Sequence, residues 1–427
     1  MRVFTFLLSV ALVVLVSTLM DGAAHAEAPR VEVRKSSDGW QLYRGGEPYE
    51  VRGVGGNRDL ELLASIGGNS IRTWGQGQLD PRDADGRSLL DDAHDQGITV
   101  CAGYWVLHPR HGFDYSDEAA VQRQRDDFRA FVERWKHHPA VLVWAIGNEV
   151  EIGVDPAEVF PEINRLAQIA KEVDPTRPTL TVLAGVWGGK TQAFMEHCPD
   201  VDILGTNAYS GLTAVRDELD AAGYAGPVMI GEFGPPGHWE TDSTDWGAPI
   251  EPSSSQKAAH YARTYDKGVA GDPDVVGSYV FLWGHKQERT ATWYGMFLPT
   301  GELTESIETM AERWGGMVQN RAPRVGPINL TSERFAPGAE VVASAQIIDP
   351  DGDPLDYDWF VEHESTDRRV GGDAEQAPDR VALERAVGEG ARFSFTAPRE
   401  PGQYRVFVIV RDGNGSAGTA NLPFIVE

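Results

Sequence analysis

The sequence predicts an α/β chain, a (β/α)8 TIM barrel followed by a small all-β immunoglobulin-like sandwich, and three observations carry that prediction. Eight short apolar runs alternate with connections or amphipathic helical stretches between Val51 and Met317, the repeat of a barrel of ordinary size, about 250 residues. The runs are continuously apolar rather than alternating, as strands buried on both faces must be. Past Ile328 the pattern changes to short alternating strands separated by turn signals, which is the mark of a two-sheet sandwich.

Residues 1–26 read as an export signal: Arg2 is a minimal charged start, Val3 to Met20 an apolar stretch, and Ala24-His25-Ala26 a small-residue cleavage site. A secreted or periplasmic protein is therefore expected, with no stable membrane insertion once the signal is removed. The barrel is expected over residues 27–319. It opens with a hairpin, Trp40 to Tyr43 and a Gly45-Gly46 turn leading to Tyr49–Val54. The predicted barrel strands are Val51–Gly55, Ser70–Trp74, Ile98–Trp105, Val141–Glu149, Thr179–Ala184, Ile203–Tyr209, Val228–Phe233 and Val275–Trp283. Helical patterns fall at Asp117–His137, Ala157–Val173, Ser255–Val269 and Thr304–Met317. An open doubly wound sheet would want a Gly-rich phosphate turn after an early strand, and no G-x-G-x-x-G stands there.

Residues 320–327, rich in proline, read as a linker across which few contacts need pass. The sandwich, 328–427, is expected to use Glu340–Ile348, Leu355–Val361, Arg392–Phe395, Tyr404–Arg411 and Ala420–Val426 as strands, while Gly371–Pro378 reads as polar loop. The formal charge of −26 argues against nucleic acid and anionic membranes as partners. Cys101 and Cys198 belong to strands that are not neighbours in a barrel, so two separate buried thiols are expected. The oligomeric state is not legible.

Barrel enzymes carry catalytic groups at the C-terminal ends of their strands. Here the fourth apolar run ends in Asn148-Glu149 and the seventh in Glu232. Strands four and seven face each other across a barrel mouth. Two carboxylates so placed can protonate a glycosidic oxygen and attack the anomeric carbon, at about 5–5.5 Å separation for a retaining reaction. Either glutamate alone also fits a salt-bridged strand end. Arg72 ends the second run, where it can pair with Glu232. Asn148 can bond a sugar 2-hydroxyl. Asn207 and Tyr209 end the sixth run, with Tyr209 able to donate to the nucleophile, and Trp283 ends the eighth, placed to floor the sugar subsite. Trp105, Trp187, Trp239, Trp246 and Trp293 are candidate sugar platforms, whereas Trp135 and Trp144 read as core.

This ordered set resembles glycoside hydrolase clan A. Ala145-Ile-Gly-Asn-Glu-Val150, Ile203-Leu-Gly-Thr-Asn-Ala-Tyr209 and Pro227-Val-Met-Ile-Gly-Glu-Phe-Gly234 look most like the family 2 barrel and the family 72 β-1,3-glucanosyltransferases. The resemblance implies Glu149 as acid/base, Glu232 as nucleophile, and a β-linked oligo- or polysaccharide as substrate, cleaved with retention. A transglycosylase remodelling such a chain, and a non-catalytic sugar-binding surface protein, are the alternatives. Family 5 enzymes usually have His where Asn207 stands, and their other His is matched only loosely by His108. The tail, with Asp349-Pro-Asp-Gly-Asp-Pro354 and Asp412-Gly-Asn-Gly415, resembles PKD or cadherin-like modules. No cofactor is expected, beyond Ca2+ as one use of those aspartates; an ordinary acidic turn is the simpler reading.

Overall fold

A computed structural model describes residues 28–80, 86–369 and 371–427. The expected export segment lies outside the described residues. Eight parallel strands close into a barrel in chain order: Val51–Gly55, Ser70–Arg72, Thr99–Tyr104, Val141–Asn148, Thr179–Ala184, Ile203–Asn207, Val228–Phe233 and Val275–Val280. All eight sit where the apolar runs predict them, but several stop one to three residues earlier than the run does. The apolar pattern outlasts the ladder because the following residues turn inward to line the barrel mouth.

Helices over Glu118–Trp135, Pro156–Val173, Ser254–Gly268 and Glu305–Trp314 pack outside the strands. Three of these four starts are capped by side chains: Asp117, Asp155 and Ser253 each accept a bond from an otherwise unpaired first-turn amide. A three-stranded antiparallel sheet, Val31–Ser36, Gly39–Arg44 and Glu47–Pro48, precedes the barrel. Val31 and Leu42 from it join Leu142, Val143, Leu180 and Met229 in one apolar cluster, so this sheet plugs the end of the barrel opposite the strand C-termini. Both cysteines are buried and free, as expected.

The C-terminal region forms two four-stranded sheets around a core that includes Val341, Phe393, Phe395, Val406, Val408 and Phe424. Its longest ladder pairs Asp356–His363, Gly402–Arg411 and Ala417–Val426. The expectation of a freely crossing linker at 320–327 needs correction. Arg324–Val325 is a strand paired with Ile347–Ile348. Arg321 and Arg324 both bind Glu308 of the last barrel helix, and the Val325 amide donates to Ser255 Oγ at 2.9 Å.

The two cores are also joined by a buried polar network. Arg405 of the sandwich holds Glu364 through two bonds of 2.9 and 2.8 Å and donates to the barrel's Pro249 carbonyl at 2.8 Å. The same guanidinium bonds Asn421, which donates to Glu251 of the barrel at 2.6 Å. Glu251 in turn pairs with Lys257 and accepts from Thr290 at 2.5 Å and Thr292 at 2.9 Å. A truncated barrel would leave Glu251 and its surroundings short of partners, and unpaired buried polar groups are costly.

Deleting residues 328–427 is therefore expected to yield a barrel that fails to fold solubly, in place of the independent unit the sequence suggests. In the full chain Arg405→Ala should lower stability by about 3–5 kcal/mol, since it strands Glu364 in the interior. Urea unfolding followed by tryptophan fluorescence measures this; a change below about 1 kcal/mol would show that the network contributes little.

Candidate active site

The polar residues that interrupt the apolar strand ends all gather at one mouth of the barrel. Two local irregularities put them there. In the fourth strand Ala145 pairs with Leu180 and Asn148 with Val182, so one extra residue is accommodated between them. In the seventh, Ile230 pairs with Thr206 and Glu232 with Asn207, again with one residue extra. Such bulges re-aim the side chains that follow. Glycine permits both. Gly147 has φ +77°, and a Cβ there would meet Val150 at 2.6 Å. A Cβ on Gly231 would meet Val182 at 2.7 Å and the Asn207 side chain at 2.8 Å. Glu149 itself has φ +51°, a left-handed conformation that costs a non-glycine residue roughly 1–2 kcal/mol. Its amide is held by the Val182 carbonyl at 2.7 Å, which keeps that turn in place.

Arg72, only 1% exposed, organises the centre. It donates to Glu232 Oε1 at 3.1 Å, to the Gly231 carbonyl at 2.8 Å and to Asn148 Oδ1 at 2.7 Å. Glu232 receives two further bonds, from Trp74 Nε1 at 2.8 Å and from the Tyr209 hydroxyl at 2.9 Å. Three donors on one carboxyl fit its ionised form, which is an acceptor only. Asn207 Nδ2 donates to Asn148 Oδ1 at 3.1 Å and to Glu149 Oε1 at 2.8 Å, linking the two glutamates through one chain of bonds. Burial, and then the negative charge of Glu232, push the Glu149 carboxyl up to about 7, against the single amide bond that favours its charged form.

Both glutamates line a cavity of about 720 Å3. Its walls carry Trp74, Trp105, Trp187, Trp239 and Phe281, apolar faces around a small set of aimed polar groups. Trp239 is 59% exposed and offers an open indole face at the cavity wall. Of the residues singled out in the sequence, Glu149, Glu232, Arg72, Asn148, Asn207 and Tyr209 are brought together. Trp283 is not. The eighth strand ends at Val280, the chain turns, and Phe281 lines the cavity in its place. The Trp283 indole is buried, edge-on to Phe297 at 4.9 Å and bonded to the Arg58 carbonyl.

Among the candidate platforms, Trp105, Trp187 and Trp239 reach the cavity. Trp293 is core, donating to the Pro236 carbonyl, and Trp246 lies against Arg334. Trp144 is buried in the core as expected, and Trp135 is half-buried against it. His108 is buried and stacked on Trp105 at 4.7 Å, and its burial lowers its imidazole to about 4. Trp74 and Phe281 were not legible as site residues, although they stand two residues and one residue past a strand end, and that position was the available signal. Three aspartates of the two C-terminal turns, Asp349, Asp353 and Asp412, do come within 4.8 Å of one another. Their carboxylates also accept turn amides, Asp349 from Asp351 and Asp353, and Asp412 from Asn414 and Ser416. None of the three lines the cavity.

Gly147→Ala should destabilise the chain by about 1–3 kcal/mol and cut turnover more than tenfold, because it forces a strained turn that displaces Asn148 and Glu149 together. Thermal unfolding and steady-state rates report the two effects. Native stability with unchanged turnover would show that the bulge does not aim Glu149.

Comparison with known proteins agrees with this geometry. Residues 54–234 match the family model described as glycosyl hydrolases family 2, TIM barrel domain. The β-glucuronidase of Rattus norvegicus is 28% identical over 172 residues, covering 38% of this chain and 24% of that protein. The β-glucuronidase of Paenibacillus borealis is 27% identical over 145 residues, covering 32% and 24%. The chain thus spans about a quarter of the length of these curated relatives. Among solved structures, a Faecalibacterium prausnitzii β-glucuronidase aligns with a TM-score of 0.53 at 19% identity, over 67% of this chain and 51% of that one. A Bifidobacterium dentium β-glucuronidase complexed with coumarin-3-O-glucuronide aligns at 0.52 and 20%, over 68% and 49%. Both likenesses are of fold. Over residues 54–234 this chain is therefore similar to the TIM barrel domain of the glycosyl hydrolases family 2.

Proposed function

We propose that this protein is an exported, retaining β-glycoside hydrolase that cleaves a neutral β-linked glucan or related polysaccharide by double displacement. One observation carries the reading: two glutamates at facing strand ends share a cavity in opposite surroundings. Glu232 accepts three donors, while Glu149 meets one amide and is raised to about 7. Opposed environments of this kind divide a carboxyl pair into nucleophile and acid.

In the first step Glu232 attacks the anomeric carbon as the bond to the leaving oxygen breaks, and Glu149 gives that oxygen its proton. In the second, water loses a proton to Glu149 and displaces Glu232, which returns both groups to their starting state. Asn148, fixed by Arg72 and Asn207, is placed to hold the sugar 2-hydroxyl.

The named relatives are β-glucuronidases, but the cavity's charge favours a neutral sugar. Each cation on its walls, among the described residues, is already paired: Lys286 with Glu288 at 2.7 Å, Arg289 with Glu375 at 2.9 Å and Arg369 with Asp367 at 2.7 Å. With Glu240, Glu288 and Asp373 on the same walls, the cavity offers a sugar carboxylate no surplus of positive charge. Export rests on the reading of residues 1–26. No helix among the described residues is long and apolar enough to cross a membrane.

Aryl β-glucosides should be hydrolysed with a kcat/KM more than about tenfold above that for aryl β-glucuronides, and proton NMR should show the β-anomer as the first product. A preference for glucuronide would overturn the neutral substrate, and an α-anomer the retaining mechanism. Because the acid must be protonated, kcat/KM on a substrate with a poor leaving group should fall as pH rises through about 7. Both limbs of the profile belong to the coupled pair. Glu149→Ala should lose the upper limb, keep far more activity on good leaving groups than on poor ones, and regain rate with azide. Equal loss on both substrate types would remove Glu149 from the acid role.

A further inference from the structure

The sandwich reaches into the cavity. Arg369, Gly371, Gly372 and Asp373, from the connection between strands Asp356–His363 and Ala386–Glu389, line the same space as Glu149 and Glu232. We infer that this loop is the end wall of the sugar cleft on the glycone side, and that it limits how many sugar units lie beyond the scissile bond in that direction. The inference rests on the glycosidase reading above and adds to it where along a chain the enzyme cuts.

The loop is tied to two rims of the barrel. Asp373 meets Arg110 at 3.4 Å and His111 at 3.2 Å, both from the loop after the third strand. The Gly372 carbonyl accepts Lys286 Nζ at 2.6 Å, from the loop after the eighth. Glu375, next along, is buried and takes both the Arg289 side chain at 2.9 Å and the Arg289 amide at 2.6 Å. In the closed barrel the first and second strands lie between the eighth and the third. The loop therefore spans the arc of the rim above strands eight, one, two and three.

The direction of the substrate follows from the chemistry. The acid must stand beside the leaving oxygen, so the aglycone lies on the side of Glu149. The wall there comes from the loops after the fourth and fifth strands, with Ile152, Gly185 and Trp187. The sandwich loop is tied to the other arc and faces the glycone. Trp105, also on that arc, lines the cavity with His108 stacked on it, which fixes an indole as a platform for a sugar ring next to the wall. The close fit of the loop is built into its sequence. Gly371 and Gly372 have φ of +65° and +75°, and a Cβ on Gly371 would lie 2.6 Å from the Arg110 guanidinium. The positive φ favours glycine at both positions, and a side chain at 371 would also displace the Arg110 guanidinium.

The test is the pattern of bond cleavage in β-1,3- and β-1,4-linked glucohexaose, end-labelled and read by mass spectrometry. The wild type should cut near the non-reducing end. A full-length variant with residues 371–373 excised should cut interior bonds about tenfold more often relative to terminal ones. Asp373→Ala, which frees the loop from Arg110 and His111 with little risk to folding, should shift the pattern in the same direction by less. If the wild type cleaves but both variants keep its pattern, the end-wall inference is overturned and the glycosidase reading stands. If the wild type cuts interior bonds as readily as terminal ones, the inference falls in the same way. No cleavage of either series by the wild type would overturn the reading and the inference with it.

Discussion

Arg72 is a charged group held almost out of contact with water, and the need to satisfy it shapes the mouth of this barrel. A buried guanidinium without partners is strongly destabilising, so its donors must be met from neighbouring strand ends. Its two terminal nitrogens are met by the Glu232 carboxyl, the Gly231 carbonyl and the Asn148 amide oxygen, while its Nε has no partner among the described residues. One cation thereby sets the positions of the candidate nucleophile, the bulge that presents it, and the residue preceding the candidate acid. Asn207 completes the link by donating to both Asn148 and Glu149. The two glutamates are not aimed independently; they are the ends of one hydrogen-bonded chain.

The strain stored beside them makes sense against that constraint. A left-handed Glu149 and two strand bulges oppose local backbone preference, and they persist because the surrounding bonds over-determine them. The sandwich has a comparable part further out. Asn421 and Arg405 hold Glu251, which anchors Thr290 and Thr292 in the loop after the eighth strand. That same loop carries Lys286, Glu288 and Arg289 to the cavity wall. The second module thus supports the first from beneath its loops and also forms part of its rim.

How much of this was legible in the sequence follows from how local each signal is. An apolar run that ends in Asn-Glu or Glu is readable within ten residues, so all eight strands and six of the seven named site residues could be placed. Trp283 misled because it too ends an apolar run. What sets its place is the turn after Val280, a consequence of packing against Phe297 and the Arg58 carbonyl rather than of the run itself. Gly371-Gly372-Asp373 reads as plain polar loop because its partners, Lys286 and His111, stand 86 and 262 residues away. The linker reading failed for the same reason. Glu308, Ser255 and Glu251 give no hint in their own segments that they wait for Arg324, Val325 and Asn421.

The central claim is that the carboxyl held by Arg72, Trp74 and Tyr209 is the group that bonds to the sugar. The direct test is to trap that bond with an activated 2-deoxy-2-fluoro-β-glucoside and to locate the label by peptide mass spectrometry. The account predicts one equivalent of label, on Glu232, with activity lost in step with its appearance. Stoichiometric label on any other residue, or inactivation that leaves Glu232 unmodified, would contradict it.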